Sequence, residues 1–468
     1  MTHFTTTAPW TSWAEALPDL GPAHSVESCA DPAVAAVRLA RSGIGGGEYV
    51  VYERAGTWTY AAGPAATVTV NAERITARCG YRSATQPTSA TPLAQVAEAL
   101  AHLPHRDWRI HGWATFELAH LLYPDTGTVG PEPVLHLMLP STEVELTPGK
   151  ACIRTADHRQ VTAIAEALAA TMPEPSEAAP ADPEALVRSD PAAYRRAVAL
   201  AVDDIRAARL HKAVLSRPLP LPEAVRPELT ATYLAGRRAN TPARSFLLDL
   251  GGWRAAGFSP ETVVEVEAGT RRVSTQPLAG TRALTAEPDE TARLREDLLG
   301  DPKEIHEHAI SVRLAVEEMT RVCRPGTVAV EEFMTVRERG SVQHLASRVA
   351  GRLADGHGPW HALATLFPAI TATGCPKPAA LRAISRYEHE PRGLYAGAVL
   401  TADADGSLDA ALVLRTVFQR DGRSWLRAGA GIMGQSTPER EWEETCEKLL
   451  SVAPHLRLGP GTPPTEPQ

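Results

Sequence analysis

Two pairs of glutamates have the most suggestive spacing in the chain: Glu304 with Glu307, and Glu441 with Glu444. Residues three apart share one face of an α-helix, so each pair would project two carboxylates side by side. Ser311 falls one turn beyond the first pair and Lys448 one turn beyond the second. Taken alone, each pair is more often a solvated face near a helix N-terminus, where acids favour the helix dipole. Together they offer four oxygen donors, which suits a hard cation such as Mg2+. Magnesium takes one or two direct carboxylates and keeps several waters.

The elements that must position these groups are partly legible. Helical periodicity runs over 302–322 and 438–452, the second helix opening with Thr437 as N-cap and Pro438 in its first turn. A further helix is predicted over 194–208. Strands are predicted over 212–217, 245–250, 262–266, 395–400, 408–417 and 426–433, where β-branched and apolar residues cluster between turn signals. Before them, 48–52 and 66–70 read as strands and 94–103 and 161–171 as helices. The class is α+β with extensive sheet. Residues 1–172 show no constellation that could do chemistry. A Pro/Ala-rich linker or loop follows over 173–189, the chemically dense region over 190–456, and a flexible tail over 457–468.

Hydrophobic residues at 44% and charged residues at 22% predict a folded globular protein and not a disordered chain. A formal net charge of -8 gives no field to gather phosphates, so nucleic acid is not an expected partner. An anionic substrate would need local basic groups. No export signal and no run approaching about 18 apolar residues is visible, so a cytoplasmic protein that does not enter the membrane is expected. The six cysteines are far apart, with no C-x-x-C pair, and read as reduced structural thiols.

Eight ordered blocks resemble the chorismate-utilising enzymes, the family of anthranilate, aminodeoxychorismate, isochorismate and salicylate synthases. They are HKAVLSR (211–217), GFSPET (257–262), PLAGTR (277–282), KEIHEHAISVR (303–313), MTVRERGSVQHL (334–345), GLYAGAV (393–399), RAGAGI (427–432) and PEREWEETCEKL (438–449). The likeness covers about 190–456 and is greatest to the salicylate synthases of siderophore pathways. It implies two large antiparallel sheets packed face to face with helices outside, the N-terminal segment completing the sheets.

The resemblance also implies roles. Glu307 and Glu444 would bind Mg2+ directly, with Glu304 and Glu441 supporting through water, and the ion would hold the ring carboxylate of chorismate. Tyr395, Arg415 and Lys448, with the backbone of Gly429, Ala430 and Gly431, would grip the enolpyruvyl carboxylate, which a guanidinium can meet bidentately. Gly280 and Thr281 would line the substrate, and His344 would hydrogen-bond near the ring; a structural histidine is the alternative. Lys212 would deprotonate water and Glu261 would protonate the departing hydroxyl. A lysine among apolar neighbours gives up its proton more readily; an exposed strand-end lysine and a solvated turn acid are the alternatives on residue type alone.

The product follows from smaller signs. The lysine of HKAVLSR favours water over ammonia as nucleophile, and no amidotransferase portion is present on the chain, so no obligatory amidotransferase partner is expected. TATGCPK (371–377), with Thr371, resembles the salicylate-synthase form of that motif. Salicylate synthase, working as a monomer, is therefore expected first. Isochorismate synthase comes second, an aminating enzyme third and a non-catalytic chorismate-binding protein last. Gln276 stands where the salicylate synthases usually carry glutamate, and it bears on whether isochorismate is released or converted.

Overall fold

The computed structural model describes residues 10, 12–28, 30–104, 107–171, 178–223 and 225–459. Residues 173–177 of the expected linker and 460–468 of the expected tail lie outside these, as does Cys29.

Among the described residues the strands form antiparallel ladders that resolve into two sheets. Residues 58–62 and 142–146 pair with each other in one sheet, 66–70 and 135–139 in the other. The long strands Thr57–Val70 and Leu135–Thr147 thus belong to both. The register shifts between Pro64 and Ala66, next to Gly63 at φ 69°. Proline removes a ladder donor and glycine accepts the left-handed backbone, so the strand bends there without losing its pairing on either side.

From this shared pair one sheet runs through Arg109–Ala114, Ala398–Asp403, Leu408–Leu412, Thr262–Val266 and Arg272–Thr275 to Val342–Arg352. Leu278–Ala283 and Ala329–Arg339 flank that last strand on opposite edges. The other sheet runs through Tyr49–Arg54, Arg244–Leu250, Trp253–Ser259, Thr416–Arg420, Arg423–Ile432 and Lys212–Pro220 to Gly374–Cys375. Strands from before and after the 173–189 segment therefore share both sheets. Cross-links such as Arg244 to Asp409 at 2.6 Å, and Trp113 Nε1 to the Leu250 carbonyl at 3.0 Å, show the sheets facing one another across one apolar core.

Three expectations need correction. The segment 408–417 is not one strand: it breaks between Leu412 and Thr416, with Arg415 at φ 51°. Tyr395 precedes the strand Ala398–Asp403 and sits in the turn that feeds it. At the chain's end, 457–459 is anchored: Leu458 is buried, and its N–H donates to the Ala178 carbonyl at 2.8 Å, because an apolar residue there gains by packing. The helix Pro183–Val187, capped by the Asp182 side chain, likewise occupies part of the expected linker.

Candidate active site

The chain passes between the two sheets twice at the same place, through 259–262 and 412–416. Ser259 Oγ stitches the passages together by donating to the Leu412 carbonyl at 2.6 Å. Each passage presents one charged side chain to a cavity between the sheets. Glu261 comes from the first and Arg415 from the second.

Glu261 is buried, and Oε2 accepts from the Leu278 N–H at 2.7 Å while Oε1 accepts from the Thr371 hydroxyl. Burial pushes its pKa up to about 7, against these two hydrogen bonds and the more distant Lys212 and Lys448. A carboxyl poised there can give up a proton near neutral pH. Arg415 donates to the Arg339 carbonyl at 2.7 Å and to His344 Nε2 at 2.6 Å. Among the described residues no carboxylate forms an ion pair with it. Burial, reinforced by Arg339 and opposed by Glu261, brings its pKa down to about 9. A buried cation without a partner costs several kcal/mol, so the cavity is built to receive an anion.

The two acidic helices close the cavity. Asp301 caps Pro302–Thr320 by accepting from the Lys303 N–H at 2.8 Å, and Thr437 caps Pro438–Leu449, each worth about 1 kcal/mol. All four glutamates are buried. Glu307 and Glu444 line the cavity, whereas Glu304 and Glu441 stand behind them. Glu307 pairs with Lys212 at 2.9 Å and Glu444 with Lys448 at 2.8 Å. Lys303 reaches both Glu441 at 3.1 Å and Glu304 at 3.4 Å, and Arg282 reaches Glu304 at 3.1 Å. Burial and the neighbouring Glu444 raise the pKa of Glu441; Glu444 itself is held low, Lys448 and Lys303 outweighing its burial.

This donor set fits a divalent cation. The carboxylate of Glu441 is buried with no hydrogen bond, its Oε1 meeting only the ion pair with Lys303, and a Cβ at Gly431 would lie 2.1 Å from Glu307 Oε1, so only glycine leaves that carboxylate its place. As the side chains stand, lysines hold the acids apart, and among the described residues no three His, Cys, Asp or Glu groups form a ready ligand cluster.

The remaining predicted residues divide. Gly280, Thr281, His344, Thr371, Tyr395, Gly429, Gly431 and Lys448 line the cavity. Gly280, at φ 83°, turns the strand so that the Thr281 N–H donates to Glu304 Oε2 at 3.0 Å. Lys448 donates to the Gly429 carbonyl at 2.9 Å. The ladder with Thr416–Arg420 ends at Val417 and Leu426, so this edge of the strand is open. The N–H of a strand residue points the same way as its carbonyl, so those of Gly429 and Gly431 face the open edge. Ala430 does not line the cavity: it alternates with Gly429 and Gly431, so its N–H and carbonyl point toward Leu215 in the ladder and not to the open edge. Lys212 does not line it either. It is buried at 1% exposure, but not among apolar groups: Nζ is turned to Glu307 and to Ser311 Oγ at 3.2 Å.

Sequence reasoning missed Lys303 and Arg282, which tie the acidic helices to each other and to the sheet. It also missed His308, whose Nδ1 donates to the Ala279 carbonyl at 3.1 Å while Nε2 accepts from Ser347 Oγ at 2.7 Å. All three lie inside the quoted blocks, and that was the available signal. Gln276 lines a separate small space that Glu261 and Thr371 also border.

A cleft between two antiparallel sheets, closed by paired acidic helices, defines the class: the chain belongs to the chorismate binding enzyme family, whose model matches residues 47–454. Among particular relatives, a salicylate synthase from Mycolicibacterium paratuberculosis is 43% identical over 429 residues, 91% of this chain and 94% of that protein. Anthranilate synthase component I from Streptococcus pneumoniae superposes with a TM-score of 0.70 at 26% identity, covering 85% of this chain and 92% of that one. The menaquinone-specific isochorismate synthase of Escherichia coli shares the fold, with a TM-score of 0.67 at 22% identity over 93% of this chain and 96% of that one.

Proposed function

We propose that this chain is a salicylate synthase, converting chorismate to isochorismate by addition of water and then to salicylate and pyruvate. The observation that carries the reading is Arg415, with no acid paired to it among the described residues, sharing the cavity with Glu261, itself bonded to Thr371, in a chain 43% identical to a salicylate synthase across 94% of that enzyme.

Chorismate brings two carboxylates. Arg415, Tyr395, Lys448 and the N–H groups of Gly429 and Gly431 hold the enolpyruvyl carboxylate, where a buried guanidinium contributes most. Glu307 and Glu444 would hold Mg2+ directly and Glu304 and Glu441 through water; when bound, the ion supplies the charge that neutralises the ring carboxylate. Glu261, half protonated near neutrality, gives its proton to the departing ring hydroxyl. For Lys212 to take the proton of the attacking water, Nζ must turn from Glu307 toward the cavity as the neutral amine, having first given up its own proton to solvent. In the second step the ring hydrogen moves to the enolpyruvyl methylene as the ether bond breaks, so no base is required. His344, kept neutral by burial and by Arg415, adds no charge and, bonded to Arg415 and Thr281, holds both in place.

The reading places the enzyme in the cytoplasm, acting as a monomer without an amidotransferase; no helix among the described residues is long and apolar enough to cross a membrane. Purified protein with chorismate and Mg2+ should release salicylate and pyruvate in equal amounts. Accumulating isochorismate would reassign it as an isochorismate synthase, and turnover only with added ammonia as an aminating enzyme.

A further inference from the structure

Behind the cavity wall one carboxylate gathers five hydrogen bonds. Glu388 Oε1 accepts from the Ser216 N–H at 2.7 Å and Arg392 Nη2 at 2.5 Å. Oε2 accepts from Ser216 Oγ at 3.0 Å, Arg392 Nε at 3.0 Å and Arg427 Nη2 at 2.6 Å. The side chains of Glu388, Arg392 and Arg427 are 5%, 1% and 2% exposed. Among the described residues neither arginine has another acid within ion-pair distance. One carboxylate against two guanidiniums leaves one positive charge uncompensated, away from water.

That charge is aimed. The Arg392 guanidinium lies 5.8 Å from the centre of the Tyr395 ring and Arg427 lies 5.7 Å from it, so the ring that lines the cavity has both cations beside it. Arg392 also donates to the carbonyls of Ala372 at 2.8 Å and Val214 at 2.6 Å, both cavity-lining residues. Arg427 itself reaches the cavity. The nearby Glu117 accepts the backbone N–H groups of Arg392 and Gly393 at 2.8 and 3.2 Å and, among the described residues, forms no ion pair with either guanidinium.

We propose that Glu388, Arg392 and Arg427 form a positioning unit whose uncompensated charge, delivered through Tyr395, selects ligands with a carboxylate on the side chain that meets this wall. Glu388 fixes where the charge sits, and the two arginines supply it. The inference rests on the reading that the cavity takes chorismate. In that reading Arg415 and Lys448 meet the carboxylate directly. The unit acts on it from behind, over a distance at which low dielectric keeps the interaction strong.

The test compares two competitive inhibitors: an aromatic analogue with a ring carboxylate and an enolpyruvyl ether, and the corresponding hydroxybenzoate lacking the ether. Arg392→Met keeps length and contact with Phe116 but removes the charge. It should raise KM for chorismate and Ki for the enolpyruvyl analogue about tenfold, leave Ki for the hydroxybenzoate within about twofold, and change kcat less than KM. Arg392→Lys should restore most of the loss. Equal weakening of both inhibitors, or no weakening, overturns the proposal. Should Arg392→Met not fold, Glu388→Gln carries the test. Both guanidiniums remain and their one compensating charge is lost, so Ki for the enolpyruvyl analogue should fall at least about threefold while Ki for the hydroxybenzoate stays within about twofold, and an unchanged or higher Ki for the enolpyruvyl analogue overturns the proposal. A wild-type enzyme that binds neither inhibitor and ignores chorismate would instead refute the functional reading itself.

Discussion

Arg415 Nη2 donates to Nε2 of His344 across 2.6 Å, and this one bond settles the state of both side chains. A guanidinium can only donate, so Nε2 must be the unprotonated nitrogen and Nδ1 carries the hydrogen toward Thr281 Oγ1 at 3.1 Å. His344 is thereby neutral with both ring nitrogens engaged, and Arg415 keeps an arm free for a carboxylate. Arg415→Met should lower kcat/KM for chorismate about a hundredfold or more, mainly through KM, as expected for loss of a buried charge-assisted contact. Because the arginine has no acid partner in the free protein, the same variant should melt no lower than wild type. A drop in Tm with unchanged KM would reverse the assignment.

The Thr371 hydroxyl donates to the carboxylate of Glu261 and so favours its ionised form. Burial outweighs that bond and sets the pKa at about 7. An acid catalyst must be protonated, so kcat/KM should fall as pH rises through about 7. Thr371→Val removes a donor to the ionised form, which raises the pKa further, and the alkaline limb should move to higher pH. A pH–rate profile of the two proteins decides it, and a limb that stays put or moves down rejects Glu261 as the titrating acid.

The glutamate pairs were legible because everything that sets them is local: helical spacing, the Asp301 and Thr437 caps, and a first-turn proline. Glu261 and Arg415 could not be read that way. Their partners Thr371 and the Arg339 carbonyl lie 110 and 76 residues away, and only the family likeness singled them out. The apolar run 408–417 looks like one strand, and nothing about an arginine announces the left-handed backbone that interrupts it. The same holds for the fold. Gly63-Pro64 hints at a bend, but that one strand serves two sheets depends on pairings across the whole chain. Lys212 was located correctly and its surroundings misjudged, because the charge it meets comes from a helix about a hundred residues on.

A methyl group at position 431 would lie 2.1 Å from Glu307 Oε1, well inside contact distance, while the backbone there needs no positive φ. Gly431→Ala should therefore fold normally and push the Glu307 carboxylate aside. Circular dichroism should be unchanged, with Mg2+ affinity measured by calorimetry reduced at least tenfold and activity reduced with it. Wild-type Mg2+ affinity in this variant would mean that Glu307 does not bind the ion.

Lys303 now reaches Glu441 and Glu304, and Glu441 accepts no hydrogen bond, so a divalent cation would meet acids whose present partners only partly satisfy them. An ion that binds the folded chain alone stabilises it by RT ln(1 + [L]/Kd), about 2.7 kcal/mol at a hundred times Kd. Mg2+ should therefore raise the Tm of the wild-type protein in a concentration-dependent way, and a chelator should abolish turnover. Glu307→Ala should erase the thermal shift. Glu441→Gln, placed to act through water, should weaken Mg2+ binding by about 10- to 100-fold without abolishing it, as is usual for groups that hold a metal's ligands or waters. Equal loss in the two variants would make Glu441 a direct ligand, and no loss in either would move the ion elsewhere in the cavity.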